Sequence, residues 1–425
     1  MYRPTPLWRS VAVLGVAGLV LTACGGGDDA GTEEPEASGS SSAAAGAKGD
    51  GTLKIGTLLP QTGSLAFLGP PEFAGVDLAI KDINDAGGVN GKQVEVTNSD
   101  SGDTSTDTAS QSVDRLLSND VDAIVGAASS SVSLSVIDKI TGAGVVQISP
   151  ANTSDELTNY ADKNLYFRTA PPDVLQGRVL GDLILADGNS TVGILALQDS
   201  YGTGLAKQAR TAIEGGGGQI VEEVVYDPKA ASFATEVGKI KAADPEAIAV
   251  IAFDETTKII PELVKQGIGP NTKKIYFVDG NLADYSKDFP KGTLEGVKGT
   301  LPGVVAGDEF KARLAEVDDS LTEWAYAPES YDATILVALA ATAAGDDSGA
   351  SIASKMQEVS EGGEKCTSYA DCLALLEDDK DIDYDGVSGP VEFNEKGDPS
   401  EATVGIYQYG AGNTYTFVEG KDGQI

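Results

Sequence analysis

Thr52–Leu59, TLKIGTLL, alternates apolar and β-favouring residues, and Glu72–Ala86 behind it sets Phe73, Val76, Ile80 and Ile83 at helical spacing before stopping at Gly87-Gly88. A period of two running into a period of 3.6 marks a strand followed by an amphipathic helix, and glycine closes such a helix. The alternation then repeats. Val94–Thr97 reads as strand, Thr108–Leu117 as a helix carrying Val113, Leu116 and Leu117, Ala123–Val125 as a short buried strand, Val132–Thr141 as helix and Val145–Ile148 as strand. Regular β-α-β-α order predicts a parallel sheet with helices on both faces.

The pattern restarts further on. Thr191–Leu197, Ile220–Tyr226, Ala247–Ala252 and Lys274–Val278 read as strands, with helices at Tyr201–Glu214, Ser232–Ala242 and Glu255–Gln266 between them. Arg168-Thr169-Ala170-Pro171-Pro172, extended and stiffened by proline, separates the two runs and reads as a hinge. Beyond Leu301-Pro302 come helical stretches at Asp308–Leu314, Tyr331–Ala344 and Ile352–Glu358, then β-rich stretches at Gly389–Phe393 and Val404–Tyr409. These are too few for a third lobe and are expected to complete the first two. The length of 425 residues suits two lobes of ordinary size. The expected class is therefore α/β, with two Rossmann-like lobes built on parallel central sheets.

Composition narrows the chemistry. Asp and Glu number 65 against 30 Lys and Arg, a formal charge of −35. Binding to nucleic acid or adsorption to an anionic lipid surface needs clustered cations, so both are disfavoured. The chain has no histidine and three cysteines. That excludes Ser-His-Asp and Cys-His nucleophile systems, His-ligated zinc and all-cysteine zinc. No G-x-G-x-x-G, G-x-x-x-x-G-K-[ST] or G-x-S-x-G sequence occurs, and Gly215–Gly218 follows a helix and terminates it. Asp378–Asp385, DDKDIDYD, lacks the EF-hand pattern and reads as solvated surface, with calcium binding as the alternative. No cofactor, no metal and no catalytic residue is expected.

Met1–Ala23 has the form of an export signal: Arg3 and Arg9 lead Val11–Val20, an apolar run shorter than the ~20 residues that span a bilayer. Leu21-Thr22-Ala23-Cys24 resembles a bacterial lipobox, with Cys24 the lipidated residue; an ordinary signal peptide is the alternative. Residues 24–51, with Gly25–Asp50 free of Val, Ile, Leu and aromatics, read as lipidated cysteine and flexible tether. The expected location is the outer face of the cell membrane, held there by the lipid alone. Export into an oxidising space predicts a disulfide between Cys366 and Cys372, against two buried thiols as the alternative.

Candidate binding residues fall at strand ends. Ser129-Ser130-Ser131 follows one strand and opens a helix, where hydroxyls and free N–H groups offer donors to an anion, or simply cap the helix. Ser149-Pro150-Ala151-Asn152-Thr153 follows the next strand. Tyr201-Gly202 and Asp279-Gly280 follow strands of the second run. Ligands of open α/β sheets sit at such carboxyl ends. Donors on one lobe and a phenol plus an acid on the other suit a zwitterion held between them.

Several runs in order resemble the branched-chain amino-acid-binding proteins of ABC importers, which have the class I periplasmic-binding-protein fold. They include IGTLLPQTG (Ile55–Gly63), GVDLAIKDINDAGGVNG (Gly75–Gly91), VDAIVGAASSS (Val121–Ser131), QISPANT (Gln147–Thr153), YGTGLA (Tyr201–Ala206) and VEFNEKGD (Val391–Asp398). The resemblance implies lobes at 52–171 with 302–399 and at 172–301 with 400–425, joined by a three-strand hinge near Ala170–Pro172, Thr300–Pro302 and Asp398–Ala402. It implies that Ser130 and Thr153 meet a ligand carboxylate, with Tyr201 closing over it. The Ala151 carbonyl, the Thr153 hydroxyl and Asp279 would meet the ammonium, and Tyr326 the side chain. Leu68, Ala128 and Ala252 fall at side-chain-pocket positions where the family has larger residues, so the pocket is altered. The implied function is a monomeric, lipid-anchored receptor delivering an amino acid, branched-chain or similar, to ABC permease subunits. Alternatives are a sensor of the same fold, or a pocket for urea, short-chain amides or aromatic acids.

Overall fold

Ile55, Leu58 and Leu59 are fully buried, as a strand covered on both faces requires. The computed structural model describes residues 49–425; the expected signal segment, Cys24 and nearly all of the tether lie outside them. The opening strand is β1 (Lys54–Leu59), followed by α1 (Gly69–Asp85), β2 (Glu95–Asp100), α2 (Thr108–Ser118), β3 (Ala123–Gly126), α3 (Ser130–Gly142), β4 (Val146–Ser149), α4 (Asp155–Thr158) and β5 (Tyr166–Arg168). The five strands form one parallel sheet in the order β2-β1-β3-β4-β5.

The second run supplies α5 (Asp173–Ala186), β6 (Thr191–Leu197), α6 (Ser200–Gly215), β7 (Gln219–Tyr226), α7 (Ala234–Ala243), β8 (Ala247–Ile251), α8 (Thr256–Lys265), β9 (Lys274–Phe277) and β10 (Lys298–Pro302). After it come α9 (Asp308–Leu314), α10 (Ala327–Ala344), α11 (Gly349–Ala353), β11 (Glu364–Cys366), α12 (Tyr369–Glu377), β12 (Ile382–Gly386), β13 (Gly389–Pro390), β14 (Glu401–Tyr409) and β15 (Tyr415–Gln424). The second sheet runs β15-β14-β10-β9-β8-β6-β7. Its β7, β6, β8, β9 and β10 are parallel, whereas β14 and β15 add to its edge antiparallel. The α/β architecture with parallel central sheets is thus present, with an antiparallel extension and a separate small sheet of β11, β12 and β13.

Several elements differ from the sequence reading. Helix α1 starts at Gly69 rather than Glu72, and α10 at Ala327 rather than Tyr331. Both begin with proline in the first turn, where the missing N–H costs nothing. The helix expected over Ile352–Glu358 is only α11 plus a 3₁₀ turn at Glu358–Ser360, and at its break the Ser354 hydroxyl bonds to the Ser351 carbonyl instead. The stretch Gly389–Phe393 is a two-residue strand, Phe393 making only an isolated bridge to Pro399. Strand β15 carries no apolar alternation and is exposed along most of its length; its ladder to β14 is reinforced by Tyr415 and Phe417 packing on Tyr407 and Tyr409.

Chain connectivity stitches the halves together. Helix α10 is buried from Ala327 to Ala341, because α1, the first sheet and the disulfide-bearing segment surround it. Cys366 and Cys372 are bonded. Arg168, fully buried at the end of β5, donates to Asp398 at 2.6 Å and to the Asn152 and Ser154 carbonyls and the Thr158 hydroxyl. That set pairs the charge and engages four of its five N–H donors, the pairing that burial demands. Among the described residues, no helix is long and apolar enough to cross a membrane, and no group of three or more metal-ligating side chains forms a cation site.

Candidate functional site

Strand order reverses between β1 and β3 in the first sheet, and between β6 and β8 in the second. At such switch points the loops leave in opposite directions and open a crevice at the carboxyl ends of the strands. The loops at both crevices meet. Leu65 and Leu68 follow β1, Ala128, Ser129 and Ser130 follow β3, and Ala151 follows β4. From the other side come Tyr201 after β6, Phe253 after β8, and Asp279 with Gly280 after β9, while Tyr326 precedes α10. These residues enclose a cavity of about 10 Å³, room for roughly one water.

The first wall is a helix start. Ser129 caps α3, its hydroxyl accepting from the Val132 N–H at 3.4 Å. Ser130 sits in the first turn, and its hydroxyl accepts from the Thr153 and Ser154 N–H groups at 3.3 Å each. That ties the Ser149–Thr153 turn to α3. Asn152 fastens the same turn by donating to the Ala127 and Ala128 carbonyls. The second wall centres on Asp279, buried at 6% exposure. Its carboxylate accepts from Gln176 Nε2 and the Tyr201 hydroxyl at 2.7 Å each and from the Tyr326 hydroxyl at 2.8 Å. Burial raises its pKa above the ordinary aspartate range, while those three donors pull the other way. All are neutral, and no Lys or Arg among the described residues pairs with it. Tyr201 lies stacked on Phe253, ring centres 5.4 Å apart. Tyr326 holds this position with a left-handed backbone, φ 61°, a conformation costly for a bulky residue and found where a site constrains the chain.

Of the residues read from sequence, Leu68, Ala128, Ser130, Ala151, Tyr201, Asp279 and Tyr326 come together around this cavity. Thr153 and Ala252 do not line it. The Thr153 hydroxyl is buried without a partner, and its carbonyl accepts from the Asp173 N–H at 2.6 Å. Ala252 is fully buried one residue short of the crevice, and Phe253 takes the lining position. Sequence reasoning passed over Asp173 and Gln176, on the first turns of α5. Both Asp173 carboxylate oxygens are buried without a partner. Burial lifts its pKa well above the ordinary range, and nearby Asp155 and Asp279 add to this. Their place directly after Pro171-Pro172 was the available signal.

The walls also touch beyond the cavity. Ser131 Oγ lies 2.8 Å from Ser200 Oγ and donates to Asp199 at 3.2 Å. Asp199 simultaneously caps α6 through the Gly202 N–H at 2.7 Å. Burial pushes its pKa up to about 6. Gln208 on α6 reaches Asp155 at 2.5 Å. The two halves are therefore latched by hydrogen bonds between the starts of α3 and α6 and from Gln208 to Asp155.

A family model described as a periplasmic binding protein matches residues 52–406. The chain belongs to that family. Periplasmic binding proteins are exported solute-binding proteins rather than enzymes, and this one has the two-crevice geometry that such a role requires. It is 25% identical over 377 residues to a Leu/Ile/Val-binding protein homolog from Brucella abortus, covering 86% of this chain and 93% of that one. Its fold is similar to a branched-chain amino acid transporter substrate-binding protein from Streptococcus pneumoniae, solved with isoleucine (TM-score 0.71, 23% identity, 88% and 100% coverage). It is similar also to a solute-binding protein of an ABC transporter from R. palustris, solved with benzoate (TM-score 0.69, 16% identity, 88% and 97% coverage).

Proposed function

We propose that this periplasmic binding protein captures an α-amino acid, branched-chain or similar, between two lobes and hands it to the permease subunits of an ABC importer. The lobes are residues 52–171 with 302–399 and residues 172–301 with 400–425. The protein works as a monomer tethered through a lipidated Cys24 outside the cell membrane. The observation that carries the reading is Asp279: a buried carboxylate solvated by three neutral donors and lacking a cation, opposite the N-terminal turn of α3. An ammonium supplies that cation, and the free N–H groups and hydroxyls of α3 suit the ligand carboxylate. The relatives' ligands support the same choice. A space of about 10 Å³ cannot admit an amino acid, so binding requires the walls to part at the hinge and close again, a shift between two populated states.

Titration calorimetry with the twenty amino acids tests this. Heat with leucine, isoleucine or a close homologue is expected, and silence from all twenty overturns the amino-acid claim. The benzoate-bound neighbour favours a second reading, an aromatic acid whose carboxylate meets α3. The unneutralised Asp279 opposes it, since a benzoate brings no cation to pair with that carboxylate. Titration with benzoate and 4-hydroxybenzoate separates the two.

A further inference from the structure

Tyr326 borders a second cavity of about 310 Å³, a volume in the range of small-molecule sites. Its walls come from the end of β10, from the chain between β10 and α10, and from β14 with β15. Five aromatic rings line it: Trp324, Tyr326, Tyr407, Tyr415 and Phe417. Glu329, on the first turn of α10, also faces it. That side chain is 2% exposed, and its Oε1 has no hydrogen-bond partner among the described residues. Tyr415 is held to the opposite loop by donating to Glu323 at 2.7 Å. The Lys311 ammonium lies 4.7 Å from the centre of the Trp324 ring, so one of these faces already receives a cation. Asp284, Glu323 and Glu329 outnumber Lys311 along the wall.

We propose that this cavity is a second binding site, for a small organic ammonium ion that keeps at least one N–H. The rings enclose the hydrocarbon body and face the charge. The N–H donates to the Glu329 carboxylate, the buried acid on that wall without a cation. A quaternary ion would satisfy the rings but not the carboxylate, and an organic acid would meet repulsion. Burial lifts Glu329 well above the ordinary glutamate range, with Asp332 adding to it, as expected of an acid that lacks a cation. The site stands apart from the amino-acid clamp, because none of its rings except Tyr326 touches the smaller cavity.

Calorimetry on the full chain with phenethylammonium as probe, and 3-phenylpropionate as its oppositely charged counterpart, tests the site. Phenethylammonium is expected to bind and phenylpropionate to give no heat. Glu329→Gln and Trp324→Ala, each confirmed folded by its melting curve, should each weaken the probe about tenfold, the weight of one charge-assisted bond or ring face. Trp324→Ala should leave the response to leucine as it was. Absence of heat with phenethylammonium, affinity unchanged from the unsubstituted chain in both variants, or simple displacement of the probe by leucine would overturn the proposal. Silence from leucine itself bears on the clamp alone, since the variants still decide the second site.

Discussion

Asp279 does two jobs with one carboxylate. It holds the second wall together by accepting from Gln176, Tyr201 and Tyr326; in the function proposed above it also partners the ligand ammonium. Asp279→Asn keeps the shape and removes the charge. Leucine affinity should fall about 30-fold or more, since losing one member of a buried charge pair costs about 2 kcal/mol at least, read by calorimetry. An aromatic-acid receptor would respond in the opposite sense, binding benzoate more tightly once the repelling charge is gone. At this scale the sequence was largely legible. Ser130, Ala151, Tyr201 and Asp279 were picked out by their positions at strand ends. Thr153 and Ala252 do not border the small cavity, because linear spacing does not report which side of a turn faces a crevice. Phe253 occupies the place expected for Ala252 for that reason.

Helix starts were harder to read than helix bodies. Proline opens both α1 and α10, and a pattern search halts at proline although the first turn tolerates it. The packing of α5 on α6 was invisible from sequence. A Cβ at Gly177 would stand 2.4 Å from the Gln208 Cβ and 2.8 Å from the Ala209 nitrogen, so the crossing depends on glycine. Alanine has the better helix propensity by about 1 kcal/mol, yet Gly177→Ala is expected to destabilise by about 1–3 kcal/mol through overpacking. Urea unfolding measures this, and a gain in stability would show that the helices separate at no cost. The crossing matters for function because α5 carries Gln176 and α6 carries Tyr201, both of which bond to Asp279.

Closure is a property of the whole molecule. Cysteines introduced as Ser131→Cys and Ser200→Cys replace hydroxyls 2.8 Å apart. Oxidation should lock the walls, block entry of leucine and release the block on reduction. Entry unaffected by the crosslink would show that these helices do not part when ligand binds. Acid should stabilise the folded chain. Burial pushes Asp122 up to about 7, and Asp199 and Asp332 up to about 6. Each of these groups binds its proton more tightly folded than unfolded. Their contribution is fully present below the ordinary carboxylate range and is lost as pH rises through about 6 to 7. The Tm at about pH 5 should therefore exceed that at about pH 8, and Asp122→Asn should flatten part of the difference. A Tm that rises with pH would contradict the assignment.

Two strand–helix alternations and polar residues at strand ends were determined by the sequence itself, because periodicity and strand-end position are local properties that survive without coordinates. Which residues share one cavity was decided only in three dimensions. Tyr326 arrives at the small cavity from the segment before α10, Asp279 is held by a glutamine on a helix that sequence reasoning ignored, and β15 pairs with β14 through its backbone and the Tyr407, Tyr409, Tyr415 and Phe417 rings. The aromatic cavity around Glu329 likewise joins the chain after β10 to the last two strands. Such meetings depend on how the halves pack and where the chain crosses between them, and no local pattern encodes those long-range contacts.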